Sequence, residues 1–133
     1  MTYRIIDNDD KRCVEWVNGG RDYINCIGLE KDGELIAVTG YNYFNGKSCH
    51  VHFSIKQGAY PTKDYVWFVH YYPFVQLGLD VMIAYMAESN HKILRLAKHL
   101  GYEEKARLKA VHEDGDVLIF TMTKENCRFL GYK

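Results

Sequence analysis

The chain has 133 residues, with 17 Lys and Arg against 17 Asp and Glu, so its formal net charge is zero. This balance argues against non-specific binding to nucleic acid, which depends on an excess of cationic side chains. The length fits one domain over residues 1–133 that is large enough to bury a core. The longest mainly apolar run, Val66–Leu79, is interrupted by His70, Pro73 and Gly78 and is too short to span a bilayer. We therefore expect a soluble protein without a membrane partner.

The four cysteines are Cys13, Cys26, Cys49 and Cys127, and none forms a Cys-x-x-Cys pair. The opening segment Met1–Asp10 is polar and acidic and lacks the apolar stretch of a secretory signal. Scattered cysteines without such a signal are typical of reduced thiols in a cytoplasm. We therefore expect a cytoplasmic protein without a disulfide framework.

The first half of the chain reads as an edge strand, a short helix and an antiparallel meander. The strand is predicted at Met1–Ile6 and the helix at about Asp10–Val17. From Tyr23 to Lys56 apolar residues alternate with polar ones, and the pattern is interrupted at Asp32-Gly33 and Asn45-Gly46. Such dipeptides between alternating runs indicate hairpin turns, so three strands joined by tight turns are predicted.

The fourth predicted strand, Ser48–Ile55, has two different faces. Alternation places Cys49, Val51, Phe53 and Ile55 on one face and the histidines on the other. Since Cys49 then points away from His50 and His52, these three residues cannot bind one metal ion without distortion. We therefore predict no metal site here.

The second half is predicted to alternate strands with helices. After the loop Gln57–Pro61, Thr62 caps a largely apolar helix that runs to about Leu77, and Pro73 should loosen its last turn. A buried strand follows at Asp80–Ala87. The chain then closes with a hairpin whose strands are Glu103–Val111 and Asp116–Lys124.

The segment Ser89–Tyr102 is the most informative part of the sequence. Asn90 is a good N-cap residue, and apolar residues then recur at the i, i+3, i+4, i+7 spacing of one helix face. Gly101 supplies the left-handed residue that ends many helices. Strand, turn, helix and strand therefore follow one another here.

These residues, in this order, resemble the second half of the acetyl-coenzyme A binding core of the GNAT N-acetyltransferase superfamily. The matching positions are Asn90, Ile93, Leu96, Leu100, Gly101, Tyr102, the segment Tyr72–Gly78, Asp114–Asp116, Met122 and Glu125–Arg128. The set is most similar to small, mostly phage-encoded members related to ribosomal-protein and amino-acid acetyltransferases. The resemblance implies a single-domain α/β fold with a mixed, mostly antiparallel sheet, splayed strands four and five, and flanking helices. The family's second helix, near Gly20, is missing.

The resemblance also implies acetyl-coenzyme A as the cofactor. Its pantetheine chain would lie between strands four and five, and its pyrophosphate would lie on the amide groups of the loop and helix start after strand four. The implied cofactor-binding residues are Phe53, Ile55, Gln57, Gly58, Ala59, Tyr60, Thr62, Lys63 and Asn90. Tyr60 and Thr62 stand where the family has glycines, so either the loop path differs or the affinity is weak. Asn90 is also explained completely as a helix cap.

A general base for an amine must lie within hydrogen-bond reach of it, directly or through water. The candidates are His52 and His50 on strand four, with structural strand histidines as the alternative, and Glu88 at the end of strand five. Many family members carry a Tyr acid where this chain has Ala97. The resemblance further implies that backbone N–H groups near Phe53–Ile55 polarise the thioester carbonyl.

The implied reaction is acetyl transfer to a primary amine by direct attack in a ternary complex. The acceptor is left open among a protein N-terminus, a lysine and a small amine. The acidic turn at residues 112–116 either borders an acceptor groove or is a solvated hairpin tip. The aromatic residues Tyr41, Tyr43 and Phe44 either line the same groove or belong to the core. The alternatives are a non-catalytic GNAT-like protein that acts through protein–protein contacts, and an unrelated α/β domain. Homodimerisation is also left open by the sequence.

Overall fold

A computed structural model describes residues 2–7, 11–18 and 25–132. It contains seven strands and three α-helices in the order β-α-β-β-β-α-β-α-β-β. Their bounds are β1 Tyr3–Ile6, α1 Lys11–Asn18, β2 Asn25–Lys31, β3 Glu34–Asn42, β4 Ser48–Ile55, α2 Lys63–Tyr71, β5 Val81–Ala87, α3 His91–Leu100, β6 Glu103–His112 and β7 Gly115–Thr123. A π-helical turn follows α2 at Tyr72–Gln76, and a 3₁₀ turn lies at Arg128–Tyr132.

One sheet organises these elements in the order β1-β2-β3-β4-β5-β7-β6. Every neighbouring pair is antiparallel except β4 and β5, which run parallel. Helix α1 packs on one face of the sheet, whereas α2 and α3 contribute to the larger core on the other face. The predicted mixed α/β fold is therefore confirmed.

A glycine allows α1 to approach the sheet closely. A Cβ atom at Gly28 of β2 would lie 2.5 Å from the Sγ atom of Cys13 on α1. No real side chain tolerates that distance, so the missing side chain of Gly28 is what permits the contact. Cys13 is fully buried there beside Cys26 and Val38.

The predicted helix Lys63–Leu77 is divided into two parts at the proline. Because Pro73 has no N–H group, it cannot donate to the carbonyl oxygen of Val69 four residues earlier. The hydroxyl group of Tyr41 on β3 donates to that oxygen instead, at 2.5 Å. The chain continues as a π turn, in which the N–H group of Leu77 donates to the carbonyl oxygen of Tyr72. Tyr41 is thereby assigned to the core.

The second predicted hairpin turn differs from the expectation. Asn45 and Gly46 do form a turn, but it lies within a five-residue connection, residues 43–47, between β3 and β4. The side-chain oxygen of Asn45 accepts hydrogen bonds from the backbone and hydroxyl groups of Ser48, which fixes the loop locally. The predicted ends at Met1, Asp10 and Tyr23 and the region around Gly20 lie outside the described residues.

Tyrosine hydroxyl groups attach α2 to the sheet. The Tyr65 hydroxyl group donates to the carbonyl oxygen of Ile27 on β2 at 2.9 Å and lies 2.7 Å from the hydroxyl oxygen of Thr39 on β3. Thr62 caps the helix as predicted, because its side chain accepts the N–H group of Tyr65. Helix α2 therefore belongs structurally to the β2–β3–β4 half of the sheet.

His70 connects this half to the other one. It is fully buried on α2, and its Nδ1 atom lies 2.7 Å from the carbonyl oxygen of Val66. A carbonyl only accepts, so Nδ1 carries the proton, and Nε2 accepts from the hydroxyl group of Tyr102 at 3.2 Å. Tyr102 follows α3 and leads into β6. Burial lowers the pKa of His70 to about 4.

The buried His70 predicts a pH-dependent stability. Because the pKa of His70 is about 4 in the folded chain and about 6.5 when unfolded, the unfolded state binds more protons between these values. Stability should be full above about pH 6.5 and fall towards pH 4, by about 3 kcal/mol for this group. Urea unfolding at pH 7, 5 and 4 measures it.

The variant His70→Asn keeps a donor near Val66 but cannot titrate. This variant should be less stable at pH 7 than the wild type. Its free energy of unfolding should also change much less between pH 7 and pH 4. His91→Asn, on the exposed start of α3, is the matched control and should keep the wild-type slope. An equal slope in all three proteins would contradict this role of His70.

Candidate functional site

The site begins where the two parallel strands separate. Strands β4 and β5 pair only over Ser48–His50 and Val81–Ile83. Further along they diverge and leave a cleft of about 150 Å³. Both strands, the start of β7, the start of α3 and the β6–β7 hairpin line it. The lining residues are Val51, His52, Phe53, Ala84, Tyr85, Met86, Ala87, Asn90, Ile93, His112 and Val117.

The backbone of β4 offers hydrogen-bonding groups to this cleft. The N–H group of Lys56, directly after β4, donates to the carbonyl oxygen of Ile36 on β3. Because successive residues of a strand turn their N–H and C=O groups to opposite sides, those of Phe53 and Ile55 are directed towards the cleft. In this stretch β5 no longer provides partners. Of the two predicted backbone contacts, Phe53 lines the cleft, whereas Ile55 lies beyond its lining, with its carbonyl oxygen 3.4 Å from the Nζ atom of Lys92.

The predicted phosphate loop lies between β4 and α2. Gly58 has a φ of +82°, which a residue with a side chain rarely adopts, and the N–H group of Ala59 closes a turn on the carbonyl oxygen of Lys56 at 3.0 Å. Tyr60 stands at a position where the resembled family has a glycine, and it is 83% exposed. Its side chain therefore points into solvent. Thr62 uses its side chain as the helix cap, and Lys63 begins α2.

The start of α3 closes the same end of the cleft. Asn90 caps the helix by accepting the N–H group of Ile93, at 3.5 Å, and also borders the cleft. Two residues later, the Nζ atom of Lys92 lies 2.9 Å from the carbonyl oxygen of Lys56 and 3.4 Å from that of Ile55. Lys92 thus brings a cation to the predicted phosphate loop. In the sequence, Lys92 is one of the polar residues between the apolar positions of this helix, and no local pattern signals the contact.

The three predicted base candidates occupy different positions. His52 lines the cleft and is half-buried. His50 lies two residues earlier on the same face, outside the cleft lining, with its ring between those of Tyr43 and Tyr85. Its buried Nδ1 atom has no hydrogen-bond partner among the described residues, and burial lowers the pKa of His50. Of the two histidines, only His52 therefore lies along the cleft.

The carboxylate of Glu88 takes part in an ion-pair network. The Nη1 atom of Arg107 lies 2.5 Å from Glu88 and 2.8 Å from Asp116, and Lys109 is 3.5 Å from Asp116. The hydrogen bond from Arg107 lowers the pKa of Asp116 to about 2. Two cations thus balance two carboxylates at this rim, and Glu88 already has a structural partner.

His112, at the end of β6, is a cleft residue that the sequence presented only as part of an acidic turn. Its Nδ1 atom accepts the backbone N–H group of Asp114 at 3.1 Å. Nδ1 therefore carries the lone pair, and the proton of the neutral ring lies on Nε2. In this arrangement His112 can donate a hydrogen bond but cannot accept a proton at Nε2.

Other chemistry is poorly supported within the described residues. They contain no group of three or more His, Cys, Asp or Glu side chains that could hold a metal ion. Cys49 is fully buried, and burial raises the pKa of its thiol to about 12, which opposes formation of a nucleophilic thiolate. Ala97 lies in the core and provides no acidic group.

No protein-family model and no curated protein sequence matches the chain. Solved structures of N-acetyltransferases do. The structure is similar to mutant forms of the spermidine/spermine N-acetyltransferase SpeG of Vibrio cholerae. The TM-score is 0.76 at 16% sequence identity, and the match covers 99% of this chain and 98% of SpeG. With the N-acetyltransferase PseH of Campylobacter jejuni in complex with acetyl coenzyme A it is 0.67 at 14% identity, over 92% of this chain and 99% of PseH.

The chain has the GNAT fold. A GNAT-family acetyltransferase of Bacillus anthracis also matches, with a TM-score of 0.62 and 14% identity over 75% of this chain and 66% of that one. The GNAT fold accounts for the position of the cleft between the two parallel strands. None of the helices in the described ranges has the length and hydropathy needed to cross a membrane.

Proposed function

We propose that the chain is an N-acetyltransferase that moves an acetyl group from acetyl-coenzyme A to a primary amine. The separation of β4 from β5 after His50 supports this most directly. An unpaired strand edge inside a sheet leaves polar backbone groups that need partners. A ligand with amide groups along an extended chain, as pantetheine has, can satisfy the groups of Phe53 and Ile55.

The described residues fit this cofactor. Phe53 and Ile55 would hold the pantetheine arm through their backbone groups, and the side-chain amide of Asn90 would help to position it. Residues 57–63 would hold the pyrophosphate through the loop amides and the N-terminal end of α2, where unpaired donors and a partial positive charge favour anions. When bound, acetyl-coenzyme A would supply a thioester that a neutral amine attacks directly, with the thiolate of coenzyme A as leaving group.

Lys92 compensates for the glycines that the loop lacks. Its ammonium group is held by two carbonyl oxygens at the end of β4, next to the loop. Hydrogen bonds to charged groups are stronger than those between neutral groups. We infer that Lys92 contacts the cofactor's phosphate groups, which lowers the number of loop amides needed to hold them.

His52 is the proposed general base. It lies on the cleft and can take the proton that the amine nitrogen loses when it forms the new bond. The N–H groups of Phe53 and Ile55 would stabilise negative charge on the carbonyl oxygen. Glu88 is a weaker candidate because Arg107 holds its carboxylate. Ala97 has no proton to donate, so protonation of the thiolate falls to another group or to water.

We further propose that the chain is related to small phage-encoded and ribosomal-protein acetyltransferases, that it is cytoplasmic, and that it forms a homodimer. The edge strand β6, exposed along its whole length, is the surface at which a second copy would most simply pair. A non-catalytic binding role is less well supported, because the cleft and its backbone groups are retained despite Tyr60 and Ala97.

The role of Lys92 predicts a phosphate-dependent loss of affinity. Lys92→Met should weaken binding of coenzyme A about tenfold, since one charge-assisted contact is lost. Binding of pantetheine, which has no phosphate groups, should be unchanged. Isothermal titration calorimetry measures both ligands. Lys98→Met, on the exposed face of α3, is the matched control and should bind both like the wild type.

The outcomes separate two claims. Equal affinity of Lys92→Met and wild type for coenzyme A would contradict the role of Lys92 alone. Failure of the wild type to bind either ligand at millimolar concentration would contradict the proposed cofactor.

The assignment of the base predicts a kinetic difference between His52 in the cleft and Glu88 at its rim. His52→Gln should lower kcat/KM for the amine by about 10²- to 10⁴-fold, because proton removal is lost. Its affinity for coenzyme A should stay the same. Glu88→Gln should change kcat/KM by less than about threefold, since this carboxylate serves an exposed ion pair. Thiol release with a panel of primary amines measures the rates, and the reverse order of effects would identify Glu88 as the base.

A further inference from the structure

Three aromatic rings run from the cleft onto the open surface of the sheet. The ring of Tyr43 lies 5.0 Å from that of His50, and His50 lies 5.7 Å from Tyr85, both in edge-to-face contact. Tyr85 also lines the cleft. Tyr43 is 65% exposed and Tyr85 is 45% exposed. We call these residues the aromatic row.

The backbone at Tyr43 holds its side chain in an unfavourable conformation. Its φ is +53°, in the left-handed region that a residue with a side chain rarely adopts. The following loop is fixed by the Asn45 side chain, which accepts hydrogen bonds from Ser48. The strained backbone brings no burial of the Tyr43 ring, which mostly faces solvent. Residues held in such sparsely populated backbone conformations cluster at active sites and ligand-binding sites.

Apolar side chains lie beside the aromatic row on its β5–β7 side, whereas Asn42 lies opposite His50 on β3. His50 lies opposite Ile83, and Tyr85 lies opposite Ile119 on β7. On the same side, Val117 at the cleft lies opposite Leu108 of β6, which is exposed. Directly opposite residues of paired strands project to the same side. An apolar wall therefore continues from the aromatic row past the mouth of the cleft.

The charges at the cleft rim favour a ligand with one cationic centre at most. Glu88 and Asp116 are balanced by Arg107 and Lys109. The other nearby carboxylates, Glu113 and Asp114, are exposed at the tip of the β6–β7 hairpin. A polycation would need several unpaired carboxylates along its length, whereas this surface presents rings and branched aliphatic groups.

We propose that the aromatic row binds the body of the acceptor, and that the acceptor is a primary amine carrying an aromatic or bulky apolar group rather than a polyamine. This inference rests on the proposed function, because it takes the cleft as the place where the amine reacts. The amine nitrogen would point into the cleft towards His52, and the apolar body would lie on Tyr85 and Tyr43. Aromatic groups bind such rings by offset or edge-to-face contacts.

The test measures binding of amines without the cofactor. Proton NMR titration with 2-phenylethylamine, n-butylamine and spermidine should give the tightest binding for 2-phenylethylamine. Tyr43→Ser and Tyr85→Leu should each weaken it by about three- to tenfold, as expected for loss of one aromatic pair. They should leave n-butylamine nearly unchanged. Tyr3→Ser, an exposed tyrosine on the distant strand β1, is the matched control.

Three results would overturn the inference. The first is tighter binding of spermidine than of 2-phenylethylamine, which would assign recognition to the hairpin carboxylates. The second is equal affinity of wild type and both tyrosine variants for 2-phenylethylamine. The third is a dimer in sedimentation that dissociates in the variants while amine affinity is unchanged, which would make this face a subunit interface. Binding of coenzyme A, measured separately, reports on the proposed function and can fail without affecting these titrations.

Discussion

The buried hydrogen bond between His70 and Tyr102 joins the two halves of the sheet inside their shared core. Helix α2 is attached to β2 and β3 through hydrogen bonds of Tyr65 and Tyr41. Helix α3 runs directly into Tyr102, and Phe53 packs edge-to-face against the same tyrosine ring. A neutral His70 with both nitrogens bonded satisfies this buried contact without a charge. The two halves can therefore stay joined at the core while their central strands diverge.

That divergence creates the chemistry of the site from ordinary backbone groups. A fully paired β4 and β5 would satisfy the groups of Phe53 and Ile55 within the sheet and leave nothing to bind. Once the strands separate, the same groups face an apolar slot, where hydrogen bonds to a ligand are stronger than in water. Lys92 and the start of α2 add positive character at one end, and the aromatic row lies near the other. One end of the cleft is therefore positively charged and the other is aromatic.

Local features of this fold could be predicted from the sequence. Asn90 and Gly101 mark the ends of α3 because capping depends on neighbouring residues, and Asp32-Gly33 marks a turn for the same reason. The alternation of Ser48–Ile55 correctly placed both histidines on one face. The GNAT fold itself followed from the order of the matching residues around Asn90, and the solved structures confirm it.

What the sequence could not provide are contacts between residues distant in the chain. Lys92 meets Lys56 across 36 positions, and Arg107 meets Glu88 across 19. His112 becomes a cleft residue only through the register of β6 on β7. The alternation of side chains places His50 and His52 on the same face of β4. Only His52, however, lies past the point where β4 and β5 separate. That point depends on the pairing of two strands distant in the chain and carries no local signature.

The central claim is that the backbone of β4 past His50 binds the cofactor. The most direct measurement is a ¹H–¹⁵N NMR titration of the labelled protein with coenzyme A. The account predicts that the largest amide shifts fall on Phe53, Ile55 and residues 57–63, with Asn90 also affected. Shifts confined to the β1–β2 edge, or none at saturating ligand, would contradict it.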